Sequence, residues 1–538
     1  MNKKVVLGSV FAIVSPVFFG ILLGNVNPVS KIKFNNYNLK RLSIDDNVSE
    51  NLTSVSSEQI DVLVRLDYDD FVFETNLSES DNQYKDLLLS QGKEYYSQKN
   101  KELMDLIDTS NLENLYISQY APFFCFTVDS SLFNSTYSQD IKSLEKISYI
   151  KQININYTPN YTRNLNNVKY TQNISYINQN LGYTGKNIKV GILEPSILDK
   201  NHSNFAGKNV VVRDELFYFE TVKSHTTQMG SIIGGKYGVA PDVSLYSVEL
   251  FGNAISEFDW LLNQGVDIVN MSYGEETPSG YYNDDSAYVD YIVYTYKIIC
   301  VAAAGNEGQG TAYVGNPGLS YNTLSVGACG IDDPRELIYS SYKTNSGPDK
   351  PNLTAPGDMF IPGVGVETSG TSNSSAFVSG CIALMLEANP SLKLHPEAVF
   401  AILNATTDTY DPVTKYVGLR ETYGTGGINI RKAIENIDNV IYGTNTQTSF
   451  FREIVKNLAS NSYLKVACWV LAYSDKQKDH TKFNDYDIFL LNSNKSSILC
   501  ETYSTKNNCE YFEKKISEGG QYFINIALMD NPSSVNDN

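Results

Sequence analysis

From about residue 187 to residue 441, short apolar runs alternate with segments of helical spacing, and this alternation limits the fold more than any other feature of the chain. The runs are 188–193, 243–250, 268–271, 298–303 and 323–327, with a minor one at 210–212. Helical patterns fall between several of them, as at 228–233 and 256–263. Runs this brief and this continuously apolar fit strands covered on both faces. The order implies an α/β fold: a parallel sheet with helices on each side, binding ligands at the carboxyl ends of its strands.

Gly370-Thr371-Ser372 runs directly into the buried helical pattern of 376–386. A serine there sits among free backbone N–H groups at the positive end of the helix dipole, which stabilises negative charge beside its hydroxyl. It is a candidate nucleophile if the chain also supplies a base. Its bland alternative is a helix cap, a position serine favours. Only four histidines are available. His225 opens a helical pattern, whereas His202 lies in a loop, His395 stands beside a helix start and His480 falls near the C-terminus. Glu194 ends the first strand, and Asn306 follows the 298–303 run in Ala-Ala-Gly-Asn-Glu-Gly. Acid, histidine, serine is one of three chain orders known for this kind of triad.

With these segments in that order, the chain resembles the subtilisin-like (subtilase) serine peptidases through most of residues 176–436. Val190-Gly191-Ile192-Leu193-Glu194 matches the motif of the catalytic acid, except that the family has Asp where this chain has Glu194. His225-Thr226-Thr227 stands for His-Gly-Thr, with Gly238-Val239-Ala240-Pro241 following. The run from Val266 to Gly274 matches the substrate-strand motif, and Ala303-Ala304-Gly305-Asn306-Glu307-Gly308 matches the oxyanion motif. Leu353-Thr354-Ala355-Pro356-Gly357 precedes the serine motif, in which Gly370-Thr371-Ser372 is complete and Met-Ala-Thr-Pro is replaced by Asn373-Ser374-Ser375-Ala376.

The resemblance implies a subtilisin-like sheet and peptide hydrolysis through an acyl-enzyme on Ser372. His225 would be general base and then general acid, with Glu194 as the third member holding its ring. The Asn306 side chain and the Ser372 N–H would hold the oxyanion, and Ser272, Tyr273 and Gly274 would pair with the substrate backbone. Glutamate carries its carboxylate about 1.5 Å further than aspartate; Asp199 is the fallback acid, in a loop beyond the strand. The implied partners are a protein or peptide substrate and the chain's own propeptide. No cofactor is required for the chemistry. The competing readings are a degenerate subtilase that binds peptides without cutting them, and an esterase, which would need a Gly-x-Ser-x-Gly elbow with the histidine after the serine. A purely adhesive surface protein would leave the constellation unexplained.

The flanks divide the remainder. Residues 1–30 carry a positive start, Asn2-Lys3-Lys4, and an apolar run at 5–24, readable as a cleaved signal peptide or an uncleaved membrane anchor of an exported protein. A polar linker spans 31–58. An α+β pattern at 59–157 resembles the family's propeptide: a strand at 60–66, a helix at 84–107, one or two strands within 116–127, then a helix at 138–147 and a strand at 150–155. The exposed stretch 156–173 would be the processing region of a zymogen. The peptidase domain is read as 170–443 and a small β-sandwich as 450–530, loosely similar to a pre-peptidase C-terminal domain. Such domains sometimes bind structural calcium, but a site is not readable here, because Asp485 and Asp487 fall short of the roughly six to eight oxygens it takes. Seven scattered cysteines give no metal spacing; Cys500 and Cys509 are the one candidate bridge, and Cys300 and Cys381 read as reduced core residues. A net charge of −18 argues against nucleic acid as a partner.

Overall fold

The computed structural model describes residues 4–5, 59–65, 71–78, 83–104, 112–129, 173–213, 223–250, 254–275, 278–330, 333, 336–409, 414–442, 451–475 and 480–530. At its centre are seven strands: β1 (Lys189–Glu194), β2 (Val210–Val212), β3 (Ser244–Glu249), β4 (Ile268–Met271), β5 (Ile299–Ala303), β6 (Thr323–Cys329) and β7 (Leu353–Pro356). Their order is β7-β6-β5-β4-β1-β3-β2, and every neighbouring pair is parallel. The chain places β2 and β3 on one side of β1 and β4 to β7 on the other, so β1 marks the switch point, where an open α/β sheet leaves a crevice at its carboxyl edge. Glu194 is the last residue of that strand.

The longer described helices of the domain are α1 (Lys223–Gly234), α2 (Ile255–Gln264), α3 (Asp284–Tyr296), α4 (Thr371–Ala388) and α5 (Pro396–Ala405). The two faces of the sheet can be read along β1. Val190 and Ile192 pack with Met229 and Ile232 of α1 and Phe377 and Ile382 of α4. Leu193 faces the other way, with Phe258 of α2 and Ile292 of α3. Residues 371–386 of α4 are all buried, as expected of a helix that is apolar nearly all round. Each large side chain buried this way contributes about 1.5–3 kcal/mol, which holds the start of α4 rigidly against the sheet.

The N-terminal module is a three-stranded antiparallel sheet, Gln59–Arg65, Phe123–Asp129 and Glu113–Ile117 in spatial order, with the helix Tyr84–Met104. Its Phe73, Tyr84, Tyr96, Tyr120 and Phe123 share one core with Phe258, Tyr288, Tyr291 and Tyr296 of α2 and α3. Inside this apolar contact, the buried carboxylate of Asp259 accepts from Tyr116 Oη (2.9 Å), Ser118 Oγ (2.9 Å) and the Gln119 N–H (2.6 Å). Burial pushes Asp259 up to about 6 despite these hydrogen bonds. Lys85 Nζ pairs with Asp267 at 2.9 Å. The helix and strand expected at 138–147 and 150–155, the stretch 156–172 and residues 6–58 lie outside the described residues. No described helix is long and apolar enough to cross a membrane.

The longer described C-terminal strands form two antiparallel sheets. One holds Phe451–Leu458, Gly520–Asp530, Asp485–Leu491 and Ile498–Thr502; the other holds Ser462–Trp469 and Cys509–Ile516. The second sheet is completed from outside, because Lys415–Val417 pairs with Cys509–Ile516, Tyr416 opposite Glu513. Asn322 exchanges two hydrogen bonds with the backbone of Ala472, each 2.7 Å, and Trp469 packs edge-on against Phe400 at 5.0 Å. The Cys500–Cys509 bridge considered from the sequence does not form, and both are free thiols. The reason is direction: Cys500 lies inside the sandwich with Ile488 and Phe512, while Cys509 belongs to the core beside Trp469.

Candidate active site

Glu194 is brought to the carboxyl edge by β1, and its side chain is fully buried. The next residue, Pro195, has no N–H to offer the carboxylate. Its donors come from β4 instead: Oε1 accepts from the Ser272 N–H at 3.0 Å and lies 3.5 Å from Asn270 Nδ2. Oε2 is buried without a hydrogen-bond partner and lies 3.4 Å from His225 Nδ1. No aligned hydrogen bond joins the two atoms. His225 itself is partly open, at 31% exposure. The turn after β1 is tied to the start of α1, with Thr226 Oγ1 donating to Ser196 O at 2.9 Å and Thr227 Oγ1 accepting from the Asp199 N–H at 3.0 Å. The longer carboxylate and the histidine are thus fixed to each other through the backbone on either side.

Asp199 is not in competition for His225. Its Oδ1 caps its own loop, accepting from the Asn201 N–H at 3.1 Å. His202 Nδ1 accepts from the Asn204 N–H at 3.2 Å, and His395 Nδ1 is 2.9 Å from Glu397. Both histidines are therefore engaged locally.

Ser372 is the second residue of α4. Gly370, with φ 152°, takes the chain from the strand Val366–Ser369 into the helix in a conformation side chains resist. Ser372 is not the cap: its Oγ donates across the cleft to Ser272 O at 2.9 Å. Its N–H, in the first turn, has no intrahelical acceptor. Before the hydroxyl can pass a proton to His225 it must turn away from Ser272, a single χ1 rotation.

Asn306 stands beside this helix start. Its Oδ1 accepts from the Thr371 N–H (2.9 Å) and Thr371 Oγ1 (3.1 Å), and Thr371 Oγ1 accepts in turn from the Gly305 N–H at 3.1 Å. These bonds fix the amide so that Nδ2 is the free end. Nδ2 is buried and has no partner. A buried donor left unsatisfied costs about 1–3 kcal/mol, and it is the kind of group that stabilises charge developing on a reacting oxygen.

Of the substrate-strand residues, Ser272 is already engaged at both backbone groups, by Glu194 and by Ser372. At Gly274 a Cβ would meet only Asn316 O, at 3.8 Å, leaving room for another backbone to approach. Tyr273 is buried, and burial raises its phenol well above the ordinary value.

A connected polar layer beneath these groups was not anticipated. Asn270 Nδ2 donates to Ser272 Oγ (2.8 Å), Ser272 Oγ bonds Ser375 Oγ (2.9 Å) and donates to Ser372 O (3.0 Å), and Ser379 Oγ donates to Asn270 Oδ1 (3.0 Å). The signal was available: Asn270 is a lone amide in the apolar run Ile268–Met271, and a fully buried amide must be bonded. Asn373 and Ser374 anchor the helix start to Gly357 O (2.7 Å) and Ala355 O (3.0 Å). Among the described residues no group of three or more His, Cys, Asp or Glu is placed to hold a metal ion.

The parallel sheet, the switch-point crevice and this set of side chains define the subtilisin-like class of serine peptidase. A model of the Subtilase family matches residues 134–426, more than half of the chain, and the chain belongs to that family. Subtilisin E of Bacillus subtilis (strain 168) is 29% identical over 283 residues, covering 47% of this chain and 67% of that protein. Subtilisin of Bacillus pumilus is 28% identical over 283 residues, covering 47% and 93%. Among solved structures, the prenylagaramide maturation protease PagA shares 23% identity over 49% of this chain and 98% of its own, with a TM-score of 0.40.

Proposed function

We propose that this subtilase is an exported serine endopeptidase made as a self-processed zymogen. Ser372 attacks the scissile carbonyl while His225 takes its proton, and His225 then returns it to the leaving amine. Glu194 stabilises the imidazolium through Oε2, the atom left without another partner. Asn306 Nδ2 and the Ser372 N–H receive the oxyanion, and Gly274 pairs with the substrate backbone. The reaction needs no cofactor. The N-terminal module acts as propeptide and the C-terminal sheets as an attached β-sandwich, with the apolar 5–24 run directing export to the surface or the medium.

The observation that carries this reading is the unpartnered, buried Nδ2 of Asn306, held beside Ser372 by Thr371. A peptide-binding protein without chemistry gains nothing from that cost. The test is labelling of the expressed, processed chain with a fluorophosphonate probe. Labelling that disappears in Ser372→Ala supports the reading, and an unlabelled chain with its N-terminal module removed overturns it.

A further inference from the structure

Glu249 ends β3 and is the register partner of Glu194. Partners on adjacent strands project to the same side of a sheet. The neighbours obey this: Val190 and its partner Leu245 lie in the α1–α4 core, and Leu193 and its partner Val248 lie in the α2–α3 core. Glu249 therefore projects with Glu194 toward the face of α1, whose first turn carries His225. Its side chain is only 7% exposed. Burial raises its pKa, and among the described residues no neighbouring charge or hydrogen bond offsets this. Nothing in the mechanism above uses it.

The carboxyl edge of the sheet reads in order: Asn306 after β5, Ser272 under Ser372 after β4, Glu194 with His225 at β1, and Glu249 at β3. Strands are about 4.8 Å apart, so Glu249 lies about one spacing beyond Glu194, on the side away from Asn306. A peptide held with its reacting carbonyl between Ser372 and Asn306, and crossing toward β3, brings a nearby side chain over Glu249. A buried carboxylate without a counterion is costly, and a substrate cation removes that cost.

We propose that Glu249 is a specificity-determining residue that selects a lysine or arginine side chain of the substrate on the His225 side of the scissile bond. The inference rests on the peptidase reading of the same site. Quenched fluorescent peptides carrying Lys, Arg, norleucine or Glu at each position flanking the scissile bond, cut by the processed enzyme, test it. One position is expected to favour Lys and Arg over norleucine by roughly tenfold or more in kcat/KM. That preference vanishes in Glu249→Gln and turns toward Glu in Glu249→Lys, while fluorophosphonate labelling of Ser372 persists in both. A labelled parent without the basic preference, a preference that survives Glu249→Gln, or an equal loss on all peptides overturns the assignment and leaves the hydrolase intact. A parent that the probe does not label removes both.

Discussion

The backbone N–H of Ser272 donates to Glu194 Oε1 at 3.0 Å, and the carbonyl of the same residue accepts from Ser372 Oγ at 2.9 Å. One peptide residue of β4's extension therefore ties the acid to the serine. With Pro195 unable to donate, the reach of glutamate is matched to a donor on the neighbouring strand.

Glu194→Asp is accordingly expected to lower activity. The carboxylate retreats about 1.5 Å, losing the Ser272 N–H or His225. Steady-state kinetics should show kcat down about 10- to 100-fold with KM little changed, against about 10⁴-fold for Glu194→Ala. A Glu194→Asp enzyme as fast as the parent would show that the longer arm is not required.

Asn306→Ala removes a donor whose ground-state partner is absent. Loss of one such donor costs about 10²- to 10³-fold in kcat in subtilisin, and the same range is expected here. Thermal stability should fall modestly, because relief of the unsatisfied Nδ2 is opposed by loss of the Oδ1 acceptor for the Thr371 N–H and hydroxyl. Parallel measurement of kcat and Tm checks both.

Asp259 gives the chain a defined pH response. Its pKa in the folded chain is raised to about 6 by burial, so the folded state holds the proton more tightly than the unfolded chain does. Its contribution to stability is full below about pH 4 and is lost as pH rises through about 6, amounting to at most about 3 kcal/mol. Urea unfolding of the full-length Ser372→Ala chain between pH 4 and 7 should show this slope, and Asp259→Asn should flatten it.

Trp469→Ala is expected to destabilise the peptidase domain as well as the C-terminal sheets. Trp469 and Phe400 of α5 are packed in one core, and truncating a buried tryptophan costs about 3–5 kcal/mol. A single calorimetric transition shifted to lower temperature is the expected readout; loss of a separate C-terminal transition alone would contradict it.

The sheet was legible because β1, β4, β5 and β6 are buried on both faces and announce themselves as continuous apolar runs. The candidate site residues stood out in the sequence because each lies at or just past a strand end or in the first turn of a helix. What escaped the sequence depends on partners far along the chain. The Ser272 N–H that serves Glu194 is a backbone group with no residue signature. Lys415–Val417 carries no strand pattern of its own, because it is three residues long and finds its partner near Glu513. Cys500 and Cys509 are near in sequence, yet strand direction turns them into different cores.

The strand at Lys415–Val417 has a consequence in time. Its partner strand, Cys509–Ile516, is made about a hundred residues later, and Arg420, close behind it, pairs with Glu513 of that strand at 3.1 Å. The strands and helices that carry Glu194, His225 and Ser372 are therefore synthesised well before the segment that pairs with Lys415–Val417. Ordering of Lys415–Val417 waits on the far end of the chain, and a chain cut short of residue 509 leaves it and Arg420 without these partners.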